Sequence, residues 1–352
     1  MIRLDDFQGT PEDLAEFITP VWRETYQGRM VYPDWAGDFF RWQMRWDAPG
    51  SRRHMIAAYD EDRLIATLLG TSFPVRADNE LIRGSIWSWM TIDPEYRGRG
   101  LATLLDRDRV RRLQDEQVDL IVSYRYFGSR HSLAEQPKKV QAKPKKFNRT
   151  VGLWVRVLDP RTVGRWSLKA VDGWMSRLSF PLAKVPGPGK LDSFIRRATE
   201  QDIPRCVELV REQTAGMPLT MAWDESTLRH QLLGSPLVTT LVLERSGAVE
   251  GFVSFHILDW VGRMSGKVGI FDLIVTDRLG SGAALALMNA AFRTMVEKGA
   301  ILTVKVRTGD VPASLMWRCY FVPRPADSHL ILQWVSLNRE ISSRSPIHLL
   351  WR

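Results

Sequence analysis

The residues best placed to do chemistry are Arg97, Gly98, Arg99, Gly100, Leu101 and Ala102. Trp87 to Ile92 before them reads as a strand, Asp93, Pro94 and Glu95 as a short acidic turn, and Leu101 to Leu105 as the start of a helix. Glycines at such a turn let the main chain approach an anion closely. Successive amide groups at the helix start then point at it, and the helix dipole favours its negative charge. Arg97 and Arg99 add full positive charges. A lone Gly-x-Gly is usually only a turn, but in this strand-loop-helix setting the pair reads as a phosphate cradle.

At these positions the chain resembles the GNAT superfamily, whose coenzyme loop reads Gln or Arg, any two, Gly, any one, Gly or Ala. Arg97, Gly100 and Ala102 take the three fixed positions, and the flanking Ile92 to Tyr96 and Leu101 to Leu105 are also typical. The resemblance implies an acetyl-coenzyme A-dependent N-acetyltransferase in which amides from Arg97 to Ala102 hold the coenzyme A pyrophosphate. It also implies that Met90 and Ile92, on a strand that bulges and splays, pair with pantetheine through main-chain groups and polarise the thioester carbonyl. Acetyl-CoA is then a cosubstrate, and no metal is called for.

Acetyl transfer further needs an amine that has lost its proton and a thiolate that gains one. The strand before the loop offers Ser88, Trp89, Met90 and Thr91, with no acid before Asp93. Glu24, Asp34 and Asp38 in the first helices are the candidate bases, although carboxylates there are more often solvated. The family commonly places a tyrosine near the thiol, on the helix after its fifth strand. Pro137 and a basic run interrupt that helix here, which leaves Tyr126 as the first candidate acid and His131 behind it. Trp22, Trp35, Trp42, Trp46, Trp87 and Trp89 all precede the loop. Aromatic faces suit an amine that arrives as a cation, so Trp87 and Trp89, expected to share a strand face, are assigned to the acceptor site. An amino sugar or another small primary amine is the expected acceptor.

The elements that must hold these residues follow from spacing. Thr10 caps a helix from Pro11 to about Tyr26, a second runs from Asp34 to Trp46, and strands follow at 54–59, 64–75 and 81–92. After the loop come a helix to about Asp115 and a strand at 118–126. From Phe194 the order begins again, with Thr199 and Asp202 spaced as a capping box, strands at 238–244, 249–258 and 267–276, a glycine turn at Gly280 and Gly282, an apolar helix at 283–296 and a strand at 301–306. The expected fold is α/β with mixed sheets: two tandem GNAT-like domains, at 1–160 and 193–352, joined by a helix and a Pro/Gly linker at 161–192. In the second copy Asp277 falls where the loop arginine should be. That copy is therefore read as degenerate, walling the acceptor cleft and binding no coenzyme, while a segment from Met1 to about Gly189 should bind one.

Composition narrows the rest. The chain of 352 residues is 44% hydrophobic, carries a net charge of +9 and has two cysteines, too few for a disulfide framework. Lys138, Lys139, Lys143, Lys145, Lys146 and Arg149 form a basic run that reads first as a solvated loop. An aminoacyl-tRNA-dependent transferase and a non-catalytic acyl-CoA sensor are the rival readings, but the intact loop argues against the first and no nucleic acid is expected. Trp166, Ala170, Trp174 and Leu178 give a narrow helical stripe that packs on a domain or lies on a membrane surface; no segment is apolar enough to span one. A cytoplasmic protein, with a homodimer possible, is the expectation.

Overall fold

The computed structural model describes residues 2–126, 146–169, 180–325, 328–335, 339, 341, 342 and 344–351. The first helix, Pro11–Tyr26, starts as its sequence dictates: the Thr10 hydroxyl accepts from Asp13 N at 3.1 Å and the Asp13 carboxylate accepts from Thr10 N at 2.7 Å. The second is shorter than expected, Gly37–Gln43, because the chain leaves the helix and Arg45 adopts a left-handed φ of 48°. The helix expected after the Gly98–Gly100 turn, the candidate coenzyme-loop helix, is Leu101–Asp115, and the apolar helix of the second half is Ser281–Glu297. Among the described residues no helix is long and apolar enough to cross a membrane.

Two mixed sheets organise the chain. In the first, strands Ile2–Asp6, Met55–Asp60, Arg63–Ala77, Glu80–Ile92 and Leu120–Tyr126 follow one another in space as in sequence. In the second, the order Ile195–Arg197, Val238–Arg245, Ala248–Val261, Ser265–Val275 and Ala300–Val306 repeats that arrangement. Each sheet is then completed by the other half of the chain. Ser328–Trp334 lies antiparallel beside Leu120–Tyr126 and is itself paired with Lys146–Val151. Reciprocally, Leu153–Val157 lies antiparallel beside Ala300–Val306 and is paired with Val322–Pro323. Sheet membership thus cuts across residue 160. A fragment ending near Gly189 would lack the strand that sits between Leu120–Tyr126 and Lys146–Val151.

Further pairings tie the lobes together. Leu219–Met221 joins the far end of Arg63–Ala77, Ile347–His348 runs parallel to it, and Tyr32–Pro33 pairs with the end of Ala248–Val261. A single large core, with Trp35, Phe40, Trp89, Val268 and Leu349 among its members, therefore spans both sheets. Trp166 belongs to it, its indole N–H donating to Trp260 O at 3.1 Å; residues 170–179 of the predicted helical stripe lie outside the described residues. Cys206 and Cys319 are buried, and burial pushes both thiols up to about 12. Most of the basic run, 138–145, also lies outside the described residues, but Arg149 is inserted between the halves, donating to Ser345 O at 2.7 Å and Thr308 O at 3.2 Å.

The exchanged strand Leu153–Val157 carries Arg156 into the second core, where it is 1% exposed. Its Nη1 donates to Cys319 O at 3.1 Å and its guanidinium lies 4.0 Å from the Phe292 ring, while Nε and Nη2 have no partner. Burial lowers its pKa to about 10. A cation whose folded pKa lies below the free value costs stability at every pH below that folded value, and the cost fades as pH rises through it. Replacing such a charge with a well-packed apolar chain is often stabilising. Arg156→Met should therefore raise the unfolding free energy by about 1–3 kcal/mol in urea titration at neutral pH. A loss of stability would mean that the Cys319 and Phe292 contacts outweigh the desolvation.

Candidate acyl-transfer site

Glu80–Ile92 and Leu120–Tyr126 are parallel neighbours over only three registers, Gly84 with Leu120, Ser85 with Ile121 and Ile86 with Val122. Beyond Ile86 they part, leaving a V whose arms are Trp87–Ile92 and Ser123–Tyr126. The cause lies on the other side of the splayed strand, where the register with Arg63–Ala77 slips between Thr67 and Leu69. Leu69 faces Ser88 and Thr67 faces Thr91, so Leu68 opposes both Trp89 and Met90. That is a bulge, which bends a strand and raises its twist.

The bulged residue is Trp89, with φ 50°, a conformation that costs a bulky residue about 1–3 kcal/mol. Several contacts hold it. The Trp22 indole N–H donates to Thr91 Oγ1 at 3.0 Å, and the hydroxyls of Thr91 and Thr67 reach Trp89 O at 3.4 and 3.5 Å. The Trp89 ring packs 5.8 Å from Phe39 and from Phe40 and 6.3 Å from Trp35, edge to face. Aromatic pairs of this kind contribute about 0.5–1.5 kcal/mol each, enough together to offset the strain.

The bulge also decides which main-chain groups are open. Asp93 N donates to Ile65 O on the neighbouring strand at 2.9 Å. By strand alternation Ile92 and Met90 turn their groups to the opposite edge, into the V. At its end the loop follows. Gly98 and Gly100 have φ 77° and 79°, left-handed values that favour glycine, and a Cβ at either would meet nothing within 4 Å. The amides of Gly98 to Ala102 donate to no main-chain acceptor among the described residues. Gly100 caps the helix without a side chain in the way. Arg97 leans back over the strand end, with Nη2 on Thr25 Oγ1 at 2.8 Å and Nε on Ile92 O at 3.3 Å, and Arg99 lies 4.7 Å over the Tyr96 ring. Open amides at a helix start flanked by two arginines can hold a diphosphate.

The remaining sequence candidates are placed differently. Trp87 and Trp89 do not share a face: the extra residue of the bulge breaks the alternation. Trp87 is 3% exposed and packs with Leu101, Leu105 and Ile121 against the coenzyme-loop helix, whereas Trp89 joins the core on the other face. Trp22 and Thr25 turn towards the strand, so Glu24, about 160° round the helix from Trp22, points away and is exposed. Asp34 is engaged with Arg23 at 3.3 Å, and Asp38 is exposed. The main chain of Tyr126 ends the second arm of the V; His131 lies outside the described residues.

Sequence reasoning missed a cavity of about 70 Å³ at the foot of the V. Ile86, Trp89 and Val122 meet it from the strands, Gln43 from the end of the second helix and Arg45 from the turn after it, and Trp223 and Leu350 from the C-terminal half. Residues so far apart in the chain carry no local signal of their common wall.

Residues 2–126 match a family model described as an acetyltransferase (GNAT) domain. No curated protein matches the chain at the threshold applied. Among solved structures it is similar to N-myristoyltransferase of Saccharomyces cerevisiae with bound myristoyl-CoA, at 14% identity and TM-score 0.76, covering 100% of this chain and 89% of that one. It is also similar to a GCN5-related N-acetyltransferase from Kribbella flavida, at 17% identity and TM-score 0.52, covering 94% and 70%, and to a probable N-acyltransferase from Enterococcus faecalis, at 11% and 0.50, covering 94% and 72%. At these identities the likeness is one of fold.

Thr91→Val keeps the shape of the side chain but leaves the Trp22 indole N–H without its acceptor. A buried donor left in this way costs about 1–3 kcal/mol. A loss of that size is expected in urea unfolding, and an unchanged midpoint would remove Thr91 from the support of the bulge.

Proposed function

We propose that this chain, an N-acyltransferase by its GNAT domain at residues 2–126 and its two-lobed fold, transfers an acetyl group from acetyl-CoA to the primary amine of a small molecule held between the lobes. The observation that carries the reading is the continuity of a strand edge open at Met90 and at the Ile92 amide, beside Ile92 O, which accepts from Arg97 Nε at 3.3 Å, with a loop of unpaired amides at Gly98 to Ala102. Those amides, with Arg97 and Arg99, take the diphosphate. The groups of Met90 and Ile92 pair with the pantetheine chain, and the Met90 amide is aimed to polarise the thioester carbonyl. As the amine nitrogen bonds to the carbonyl carbon the carbon–sulfur bond breaks, Tyr126, at the end of the other arm, gives the departing thiolate its proton, and the acylated nitrogen sheds one proton to water, from which Tyr126 is reprotonated. Glu24 faces away, so the ammonium loses its proton to water before attack.

One feature supports a single coenzyme over two. In the second lobe the equivalent strand edge is already taken: Gln213 donates to Ile274 O and accepts from Thr276 N, both at 2.8 Å. Gly280 there has φ −60°, so the loop makes no left-handed turn, and Asp277 brings a carboxyl whose pKa burial raises. A mostly apolar cavity also disfavours the hydroxyl-rich body of an amino sugar, whose groups would go unpaired.

Native mass spectrometry with excess acetyl-CoA should find one coenzyme per chain. Gly100→Trp, folded by circular dichroism, should bind none, because its indole occupies the cradle. Two coenzymes, or one that survives Gly100→Trp, would mean that the working loop has been assigned wrongly. Asp277→Arg should add at most a weak second site, since Gln213 still closes the edge.

A further inference from the structure

We infer that the cavity at the foot of the V is the acceptor pocket and that it is built for an amine with an apolar body and a carboxylate, that is, a small apolar amino acid. The inference rests on the acyl-transfer reading above and narrows its acceptor. Position comes first. Ile86 and Val122 form the last register before the strands part, and Trp89 is the bulged residue, so a molecule touching all three lies beside the place where the thioester would be held.

The wall supplies the chemistry. Trp42, Phe73, Met221, Trp223 and Leu350 give it an apolar character suited to a branched or linear hydrocarbon side chain. No aspartate or glutamate lines it, so the wall offers no carboxylate to pair with a cationic group. Two donors face the other way. The side-chain amide nitrogen of Gln43, a residue 7% exposed, and Nε of Arg45 are both buried and without a hydrogen-bond partner. An unpaired amide N–H and an unpaired guanidinium N–H on one small apolar cavity call for an oxygen acceptor, and the fixed positive charge of Arg45 selects an anionic one.

The acid that feels the charge of Arg45 does not satisfy them. Asp224 feels the charge of Arg45, but its Oδ1 already accepts from Thr227 N and Thr227 Oγ1, both at 2.7 Å, as the cap of helix Glu225–Leu233. Arg45 owes its placement to its left-handed φ of 48°, which ends the second helix beside Gln43. A local backbone departure therefore brings both donors to one cavity.

Calorimetric titration of the full chain saturated with coenzyme A tests this with four probes: leucine, 6-aminohexanoate, and their carboxylate-free counterparts isoamylamine and hexylamine. At least one amino carboxylate should bind ten-fold or more tightly than its amine counterpart, and which one does fixes whether the amine is adjacent to the carboxylate or remote. Gln43→Leu combined with Arg45→Met should erase the difference. The wild-type series stands by itself if that variant does not fold. Equal or tighter binding of the bare amines, or discrimination that survives in the folded double variant, overturns the inference. Carboxylate discrimination without any acyl transfer would instead sink the transferase reading and leave the pocket. Efficient acylation of bare amines would do the reverse.

Discussion

The main-chain turn at Trp89 is the constraint from which the site follows. One extra residue opposite Leu68 bends the strand away from Leu120–Tyr126, and without that bend the parallel pairing that ends at Ile86 would continue and close the V. Strands in register leave no open amides at Met90 and Ile92, and a loop of free N–H groups would then hold a diphosphate with nowhere for the rest of the coenzyme to go. The strain at Trp89 is tolerable because the surroundings over-determine it: a hydrogen-bonded chain from Trp22 through Thr91 fixes the carbonyl, and three aromatic neighbours fix the ring.

The reciprocal exchange of strands gives the V a rigid floor. Because Ser328–Trp334 belongs to the first sheet and Leu153–Val157 to the second, the lobes cannot separate without breaking sheet hydrogen bonds. The cavity between them is a built feature and not a hinge gap. The C-terminal segment is fastened with equal firmness. Burial alone would raise the Asp310 carboxyl, but Lys305 at 2.8 Å and His348 at 3.2 Å hold it well below the usual carboxylate range. His348 Nε2 accepts in turn from the Trp223 indole at 3.2 Å, so the charged cluster reaches the cavity wall through one hydrogen bond.

Much of the fold was legible because it is local. Thr10 with Asp13, the alternation of Glu80–Ile92 and the turn at Gly98 and Gly100 each state their structure within a few residues. What was not legible depended on distance along the chain. Lys146–Val151 reads as part of a solvated basic run, yet it pairs with Ser328–Trp334, and Arg149 points inward to carbonyls of Thr308 and Ser345. The bulge shows the limit within a single strand. Strict alternation puts Trp87 and Trp89 on one face, but a two-against-one register is a property of the pair of strands, and nothing in Trp89 or Met90 announces it.

The two lobes carry the same elements and have divided between them what a transferase needs. In the first lobe the groups left unpaired by the splay are those that would meet a coenzyme. The second lobe satisfies the equivalent groups with its own Gln213, which also contacts Asp310 O at 3.4 Å and so links the strand edge to the buried charge cluster. An edge closed from within stabilises the lobe. The second lobe also serves as wall: Met221, Trp223 and Leu350 complete a cavity that the first lobe opens but cannot enclose. A lobe that keeps its splayed strand yet fills it with a side chain is rigid where its counterpart is open, and that rigidity lies beside the cavity to which we have assigned the acceptor.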